Sequence, residues 1–203
     1  SVFLFGREEN RKWTLSLYNA VNRTCYTDPE EIEITTISDA VYMGMKNDVA
    51  FLLHCHMSLY EHQSTYNPNM PVRELMYLGK LYDKYIHAHT LNIYGKKIVP
   101  LPVPRLAVFY NGTEEHEDEV LRLSDAFPEG LDAASSDVEV RVRMINVNYG
   151  RNRELMEACR PLSEYTWCVE EIRRKMKDTG IEEAVAWAID HIQEDFENKG
   201  ILV

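Results

Sequence analysis

Two carboxylates and one amide stand out in the sequence because each lies in or beside an apolar stretch. Asp48 begins the run DVAFLL, Glu61 lies within MSLYEHQS, and Gln63 follows two residues later. Side chains alternate between the two faces of a strand, so Glu61 and Gln63 share a face. Two carboxylates about 5 Å apart on adjacent strands repel each other. A hard cation relieves that repulsion, and oxygen ligands at this density suit Mg²⁺ with water completing the octahedron.

The chemistry of such a site is metal-assisted. A bound Mg²⁺ or Mn²⁺ lowers the pKa of a coordinated water and stabilises negative charge on a phosphate. Gln63 is neither an acid nor a base, but its amide oxygen could orient an attacking water, or its amide nitrogen could contact a phosphate. The alternative, which periodicity alone favours, is a set of polar side chains on the solvated face of a hairpin.

The element that must position these residues is a hairpin. Two strand-like runs, 48–53 and 57–64, flank the sequence His-Cys-His. A two-residue turn would place Asp48 opposite Glu61 or Gln63, with all three side chains on one face. A three-residue turn would place Asp48 opposite His62, on the other face.

The remaining periodicity predicts an α/β fold. The other expected elements are a helix over 11–22, a strand over 32–37, a helix over 71–89, strands over 105–110 and 138–149, a helix over 152–178 kinked at Pro161, and a helix over 181–198. A strand reached through helix 71–89 would run parallel to its predecessor. We therefore expect a mixed central sheet with an antiparallel hairpin, flanked by helices, over residues 1–150. Residues 151–203 form a C-terminal helical extension predicted to pack on that domain.

The charge of the chain is unevenly distributed. The 22 basic and 33 acidic residues give a formal net charge of -11, which by itself argues against a nucleic-acid partner. Residues 71–105, however, carry six basic and two acidic side chains. Helical spacing places four side chains on one face as a candidate DNA-binding strip: Arg73, Tyr77, Lys80 and Lys84. An ordinary solvated helix face is an equal alternative. Other apolar positions of this helix are assigned to the core: Leu75, Leu78, Tyr82 and Tyr85.

Several functional classes lack their sequence signals. No apolar run reaches about 18 residues, so no membrane partner is expected. The four cysteines form no C-x-x-C pair, and the absence of an export signal predicts a reducing cytoplasmic location. No phosphate-binding glycine loop or serine-hydrolase elbow occurs. Four residues of the types that bind zinc fall within nine positions, but without a second pair at ligand spacing they are interpreted as solvated turn residues: His54, Cys55, His56 and His62.

Three short blocks carry a resemblance to a known family. They are N-D-V-A-F at 47–51, Y-E-H-Q-S at 60–64 and N-M-P-V-R at 69–73 with Tyr77. Together they resemble the recombination-promoting nucleases, also called YhgA-like transposases, of the PD-(D/E)XK nuclease superfamily. F-Y-N-G at 109–112 and N-Y-G at 148–150 resemble further blocks of a gut-bacterial branch. The resemblance spans most of residues 3–165.

The resemblance implies a restriction-endonuclease-like sheet and Mg²⁺-dependent hydrolysis of DNA phosphodiesters in a bacterial cell, with a link to recombination or mobile elements. Asp48 matches the metal-binding Asp, and Glu61 matches the acid of the E-x-K element. The backbone carbonyl of His62 would add a metal ligand. Gln63 stands where Lys is usual, a substitution that is also typical of this family.

The superfamily often has one more acid on the first helix. Glu8 or Glu9 could take that place in this chain. An alternative function is a DNA-binding or assembly module that keeps the fold without turnover. A third is a protein-interaction domain that uses the C-terminal helices. The sequence leaves the number of copies open, and a homo-oligomer is compatible with it.

Overall fold

Within residues 2–35 and 49–198, which the computed structural model describes, six strands form one open mixed sheet. In chain order they are β1 (Ile32–Ile34), β2 (Val49–Leu53), β3 (His56–Gln63), β4 (Val103–Tyr110), β5 (Glu119–Arg122) and β6 (Arg141–Asn146). Their order across the sheet is β1-β2-β3-β4-β6-β5. The long strands β3 and β4 therefore occupy the centre, where neighbours on both sides bury them.

The predicted hairpin is present and its turn has two residues. β2 and β3 pair antiparallel from Val49 opposite Tyr60 to Leu53 opposite His56. His54 takes a left-handed backbone conformation with φ of 51°, which a tight turn between twisted strands requires. This register is the one that a two-residue turn predicts. Asp48 itself lies outside the described residues.

The parallel part of the sheet also matches the expectation. Helix α3 (Met70–Ala88) connects β3 to β4, and these strands run parallel with His56 beside Val103 and Gln63 beside Tyr110. β6 is parallel to β4, and β5 is antiparallel to β6. β5 was not predicted, because its four residues bury only Leu121 and follow an acidic stretch.

Helices cover the two faces of the sheet. α1 (Val2–Phe5) and α2 (Arg11–Asn22) precede the strands, and α2 begins and ends where its periodicity predicts. Tyr18 of α2 begins a chain of edge-to-face ring contacts that crosses the sheet through Phe51, Tyr60 and Phe109, with ring centroids 6.0, 5.4 and 5.5 Å apart. Burial raises the pKa of Tyr60 to about 12, and its hydroxyl accepts a hydrogen bond from Asn22 at 2.8 Å.

The opposite face carries the aliphatic core beneath α3. Buried side chains of all the strands except β1 pack there against the helix: Ala50, Leu52, Met57, Leu59, Leu106, Val108, Leu121, Val142 and Met144. The buried stripe of α3 comprises Met70, Pro71, Glu74, Tyr77, Leu78 and Leu81. The prediction that Leu75 belongs to the core is wrong, since 37% of this residue is exposed. The stripe was hard to recognise because one of its members, Glu74, is a buried acid.

The described residues from Val147 onward form a second compact unit. It contains α4 (Arg153–Ala158), α5 (Arg160–Thr179) and α6 (Ile181–Asn198). The helix predicted as kinked is in fact two helices, because the chain leaves helical geometry at Cys159 and restarts with Pro161 in the first turn of α5. No helix of the described residues is both long and apolar enough to cross a bilayer.

The orientation of α3 about its own axis, which decides which side chains face the core, can be tested with two leucine substitutions. Leu78 is 8% exposed within the core, whereas Leu75 is 37% exposed on the same helix. We expect Leu78→Ala to lower the free energy of unfolding by about 2–5 kcal/mol. The matched Leu75→Ala should cost about 1 kcal/mol or less. Urea denaturation followed by circular dichroism measures both. Equal losses would contradict this orientation of the helix.

Candidate functional site

Glu61 is a buried acid near the carboxyl end of the central strand β3. It lies beside Val108 of β4 and only 5% of it is exposed. Strand alternation directs it to the same face as Leu59, beneath α3. A carboxylate in this position has lost most of its hydration, and burial raises the pKa of Glu61 above its ordinary value.

The two oxygens of the Glu61 carboxylate have different surroundings. Oε1 accepts hydrogen bonds from Nε2 of Gln63 at 2.7 Å and from Nη2 of Arg73 at 2.9 Å. Both contacts favour the charged carboxylate and oppose the upward shift of its pKa. Oε2 is buried and has no hydrogen-bond partner among the described residues. One oxygen is therefore neutralised, while the other retains its capacity to bind.

Gln63 lies on the same face as Glu61, as the sequence predicts. Its Nε2 donates to Glu61 and also to Sδ of Met70, at 3.0 Å. An amide nitrogen has two hydrogens, and both are engaged by these contacts. The amide oxygen is therefore the part of Gln63 that is left to accept a hydrogen bond from a water.

Arg73 belongs to this site rather than to an exposed basic strip. It lies in the first turn of α3, its side chain is 27% exposed, and its guanidinium contacts both Glu61 and Sδ of Met70. Twelve residues separate Arg73 from Glu61. Sequence spacing could not predict this ion pair, because it depends on how α3 crosses the end of β3.

The segment after β4 closes the same edge of the sheet. The backbone N–H of Asn111 donates to the carbonyl of Gln63 at 2.9 Å. A Cβ on Gly112 would lie 2.5 Å from the carbonyl oxygen of Ser64 and would collide with the hydroxyl of Tyr110. Only glycine allows so close an approach. The F-Y-N-G block thus holds the strand ends together.

His116 also links the ends of the strands. The ring of His116 stacks on Tyr66 at 4.2 Å with an interplanar angle of 7°, and it meets the edge of Tyr110. The carbonyl of His116 accepts a hydrogen bond from the side chain of Asn146, the last residue of β6. The strand ends of β3, β4 and β6 are consequently joined through one acidic loop. No sequence motif indicates this role of the loop.

Other predicted site residues lie elsewhere. Tyr77 is fully buried in the core, so the prediction that it contacts DNA is wrong. Lys80 and Lys84 are exposed, and Nζ of Lys84 donates to the carbonyl of Thr35 at 3.0 Å. The side chain of His62 projects to the face opposite Glu61 because adjacent residues of a strand alternate.

The candidate additional acids form local ion pairs. Glu8 pairs with Arg11, and Glu9 pairs with Arg7 at 3.4 Å. Both acids are more than half exposed in their side chains. The structure does not join either of them to Glu61 in a metal-binding group.

The described residues contain no group of three or more His, Cys, Asp or Glu side chains placed to hold a metal ion. Asp48, the predicted partner of Glu61, lies outside them. Within the described part of the chain, the buried, unpartnered Oε2 of Glu61 is a feature that fits a hard cation. The exposed turn residues His54 and Cys55 form no zinc group, and His54 instead lies 3.0 Å from Glu31.

No protein-family model, curated protein or solved structure matches the chain. The chemistry of the site must therefore be argued from its own residues. Those residues are a buried carboxylate with one open oxygen, an amide with one open acceptor and a guanidinium that neutralises the carboxylate. Together they can hold a cation, orient a water and bind an anion.

The raised pKa of Glu61 predicts a pH-dependent stability. The folded state binds its proton more tightly than the unfolded state, so this residue opposes folding increasingly as the pH rises from about 4.3, the ordinary glutamate pKa. Glu61→Gln removes this contribution. Between about pH 4.3 and the higher pKa of Glu61, we expect the melting temperature of this variant to rise relative to that of wild type as the pH increases. Above that pKa, the difference between the two melting temperatures should stay constant.

Thermal melts in the presence of a chelator measure this difference. Glu33→Gln, which changes an exposed carboxylate of β1, is the matched control. If wild type instead gained stability over Glu61→Gln with rising pH, the ion pair with Arg73 would outweigh the cost of burying the carboxylate.

Proposed function

We propose that the chain is a metal-dependent DNA endonuclease with a restriction-endonuclease-like fold. The observation that carries this proposal is the buried Glu61 carboxylate, which keeps one unpartnered oxygen at the carboxyl end of a central strand. Stability alone disfavours such an arrangement, because an unsatisfied buried carboxylate oxygen costs free energy. A buried acid with a shifted pKa is a common property of catalytic sites.

The blocks that carry the family resemblance support this function because they meet in space. Glu61 and Gln63 of the E-H-Q-S block contact Met70 and Arg73 of the M-P-x-R block. Asn111 of the F-Y-N-G block bonds to the backbone of Gln63. A mixed sheet flanked by helices is also what the resemblance implies.

Glu61 would bind Mg²⁺ or Mn²⁺ through Oε2, with Asp48 as the second carboxylate. The carbonyls of Cys55 and Gln63 both accept hydrogen bonds from the chain around β4. Since carbonyls alternate along a strand, that of His62 points away from β4, and the family resemblance implies that it is a further ligand. When bound, the cation supplies a water of lowered pKa and stabilises the charge that develops on the phosphate.

Gln63 would orient the attacking water through its amide oxygen. Its nitrogen is fixed by Glu61 and Met70, so the direction of that oxygen is set by two contacts before any substrate arrives. Pre-organisation of this kind lowers the barrier without requiring a proton transfer by the side chain. The structure favours this role over a contact from the amide nitrogen to phosphate.

An inactive DNA-binding or assembly module is the second candidate. Arg73 already neutralises Glu61, and the described residues contain no complete metal-binding group. Both features suit a fold that has kept its architecture and lost turnover. The two candidates differ in whether phosphodiester bonds are broken.

Plasmid nicking separates the two functions. We expect wild type to nick supercoiled DNA with Mg²⁺ or Mn²⁺, and chelation to abolish the reaction. Glu61→Gln keeps the shape of the side chain but loses its charge, and it should lower the rate by about a hundredfold or more. The exposed Glu33→Gln should retain activity. Equal DNA binding with no cleavage by wild type or either variant would support the inactive module.

The predicted phosphate contacts can be tested on α3. Lys80 and Lys84 occupy exposed positions of this helix. We expect Lys80→Glu to weaken DNA binding at every sequence and to lower the slope of log affinity against log salt by about one. Lys12→Glu, an equal charge change at an exposed position of α2, is the control. Fluorescence anisotropy across a salt series measures both, and equal losses would mean that only net charge matters.

A further inference from the structure

Arg73 occupies a position that helix electrostatics disfavour. It is the fourth residue of α3, where the unsatisfied backbone N–H groups give the helix end a partial positive charge. A cation in this turn is repelled unless a nearby anion compensates. Glu61, 2.9 Å away, is that anion. The location of Arg73 is therefore explained by the carboxylate and not by the helix.

In this ion pair the Arg73 side chain can move away, whereas Glu61 is held in place. Glu61 is 6% exposed in its side chain and is also held by Gln63. Arg73 is 27% exposed, and its remaining described side-chain contact is with Sδ of Met70 at 3.5 Å. A long side chain with a solvent-accessible guanidinium can rotate outward at little cost. After its departure, Glu61 would keep its position through Gln63.

A metal ion and Arg73 would compete for the charge of Glu61. A cation on Oε2 shares the carboxylate with a guanidinium bound to Oε1, and two positive charges at this distance in a partly buried site repel each other. A phosphate group offers the guanidinium an alternative partner of matching geometry. The substrate of the proposed reaction brings such a group to the site.

We propose that Arg73 is an exchangeable counterion. In the free protein it neutralises Glu61, and when a divalent cation binds it transfers to a phosphate oxygen of the DNA. This inference rests on the proposed nuclease function and adds a coupling to it: metal binds weakly alone and more tightly with DNA. A static structural ion pair would also bind metal more tightly once Arg73 is removed, because the same repulsion is relieved, but it predicts no loss of DNA affinity.

Metal binding without DNA provides the first test. Mn²⁺ is titrated into the full chain by calorimetry for wild type, Arg73→Gln, Arg73→Met and Glu61→Gln. Both Arg73 variants lose the charge, and Gln keeps part and Met most of the aliphatic stem, so at least one folded variant is expected. We expect them to bind Mn²⁺ about tenfold more tightly than wild type, because a positive charge beside the cation is removed. Glu61→Gln should abolish this binding. Lys12→Gln removes a charge on α2 and controls for net charge.

DNA binding provides the second test. A short duplex is titrated in Ca²⁺, which suits oxygen ligands and is used here to avoid turnover. We expect Arg73→Gln to bind the duplex about tenfold more weakly than wild type, with a salt slope lower by about one. The substitution thus acts in opposite directions on the two ligands. A purely structural defect would weaken both.

The outcomes of these tests distinguish the exchange of Arg73 from the proposed nuclease function. If Mn²⁺ binds to wild type through Glu61 but Arg73→Gln and Arg73→Met bind it equally or more weakly, the exchange is overturned and the metal site stands. A third result is that wild type and the Arg73 variants do not bind Mn²⁺, or that Glu61→Gln binds it equally well. Either finding overturns both the metal-dependent function and the exchange.

Discussion

The burial of the Glu61 carboxylate is the constraint on which the arrangement of this molecule depends. An isolated carboxylate in the interior costs several kcal/mol, so the chain must bring a positive charge to it. Arg73 supplies that charge from the beginning of α3. The first turn of α3 must therefore lie over the end of β3, which fixes where the crossover to β4 begins. Gln63 and Met70 complete the contact, and the aliphatic core beneath α3 holds the helix in this position.

The two faces of the sheet differ in composition: one is packed with aromatic side chains, and the other carries the candidate site. One face holds a continuous chain of aromatic contacts from Tyr18 to Phe109 and a buried tyrosine hydrogen-bonded to α2. The other face buries aliphatic side chains for most of its length, and Glu61 and Gln63 are polar side chains at the end of β3 on this face. An open carboxylate oxygen at that end lowers stability, and proteins commonly accept such a loss where a ligand is to bind. The well-packed remainder of the sheet compensates for it.

Sequence patterns predicted those features that follow from local periodicity. Alternation along β3 placed Glu61 and Gln63 on one face, and the intervening helix predicted the parallel pairing of β3 with β4. The orientation of α3 could not be predicted in the same way, because the buried acid Glu74 interrupts its apolar stripe and made Tyr77 look like surface. The Arg73–Glu61 contact depends on tertiary packing between segments 12 residues apart. β5 was missed since a four-residue edge strand with one buried side chain has almost no periodic signal.

The acidity of the chain has a physical role if Arg73 exchanges partners as inferred. Residues 106–137 carry nine acidic side chains and one basic side chain, and their loop folds onto the carboxyl edge of the sheet through Asn111 and His116. This negative potential repels a phosphate backbone and attracts a divalent cation. A cation bound at Glu61 would reverse the local charge and at the same time release a guanidinium for phosphate. The two effects act together, so DNA affinity would depend on the metal far more steeply than it would in a uniformly basic protein, where phosphate binding needs no such neutralisation.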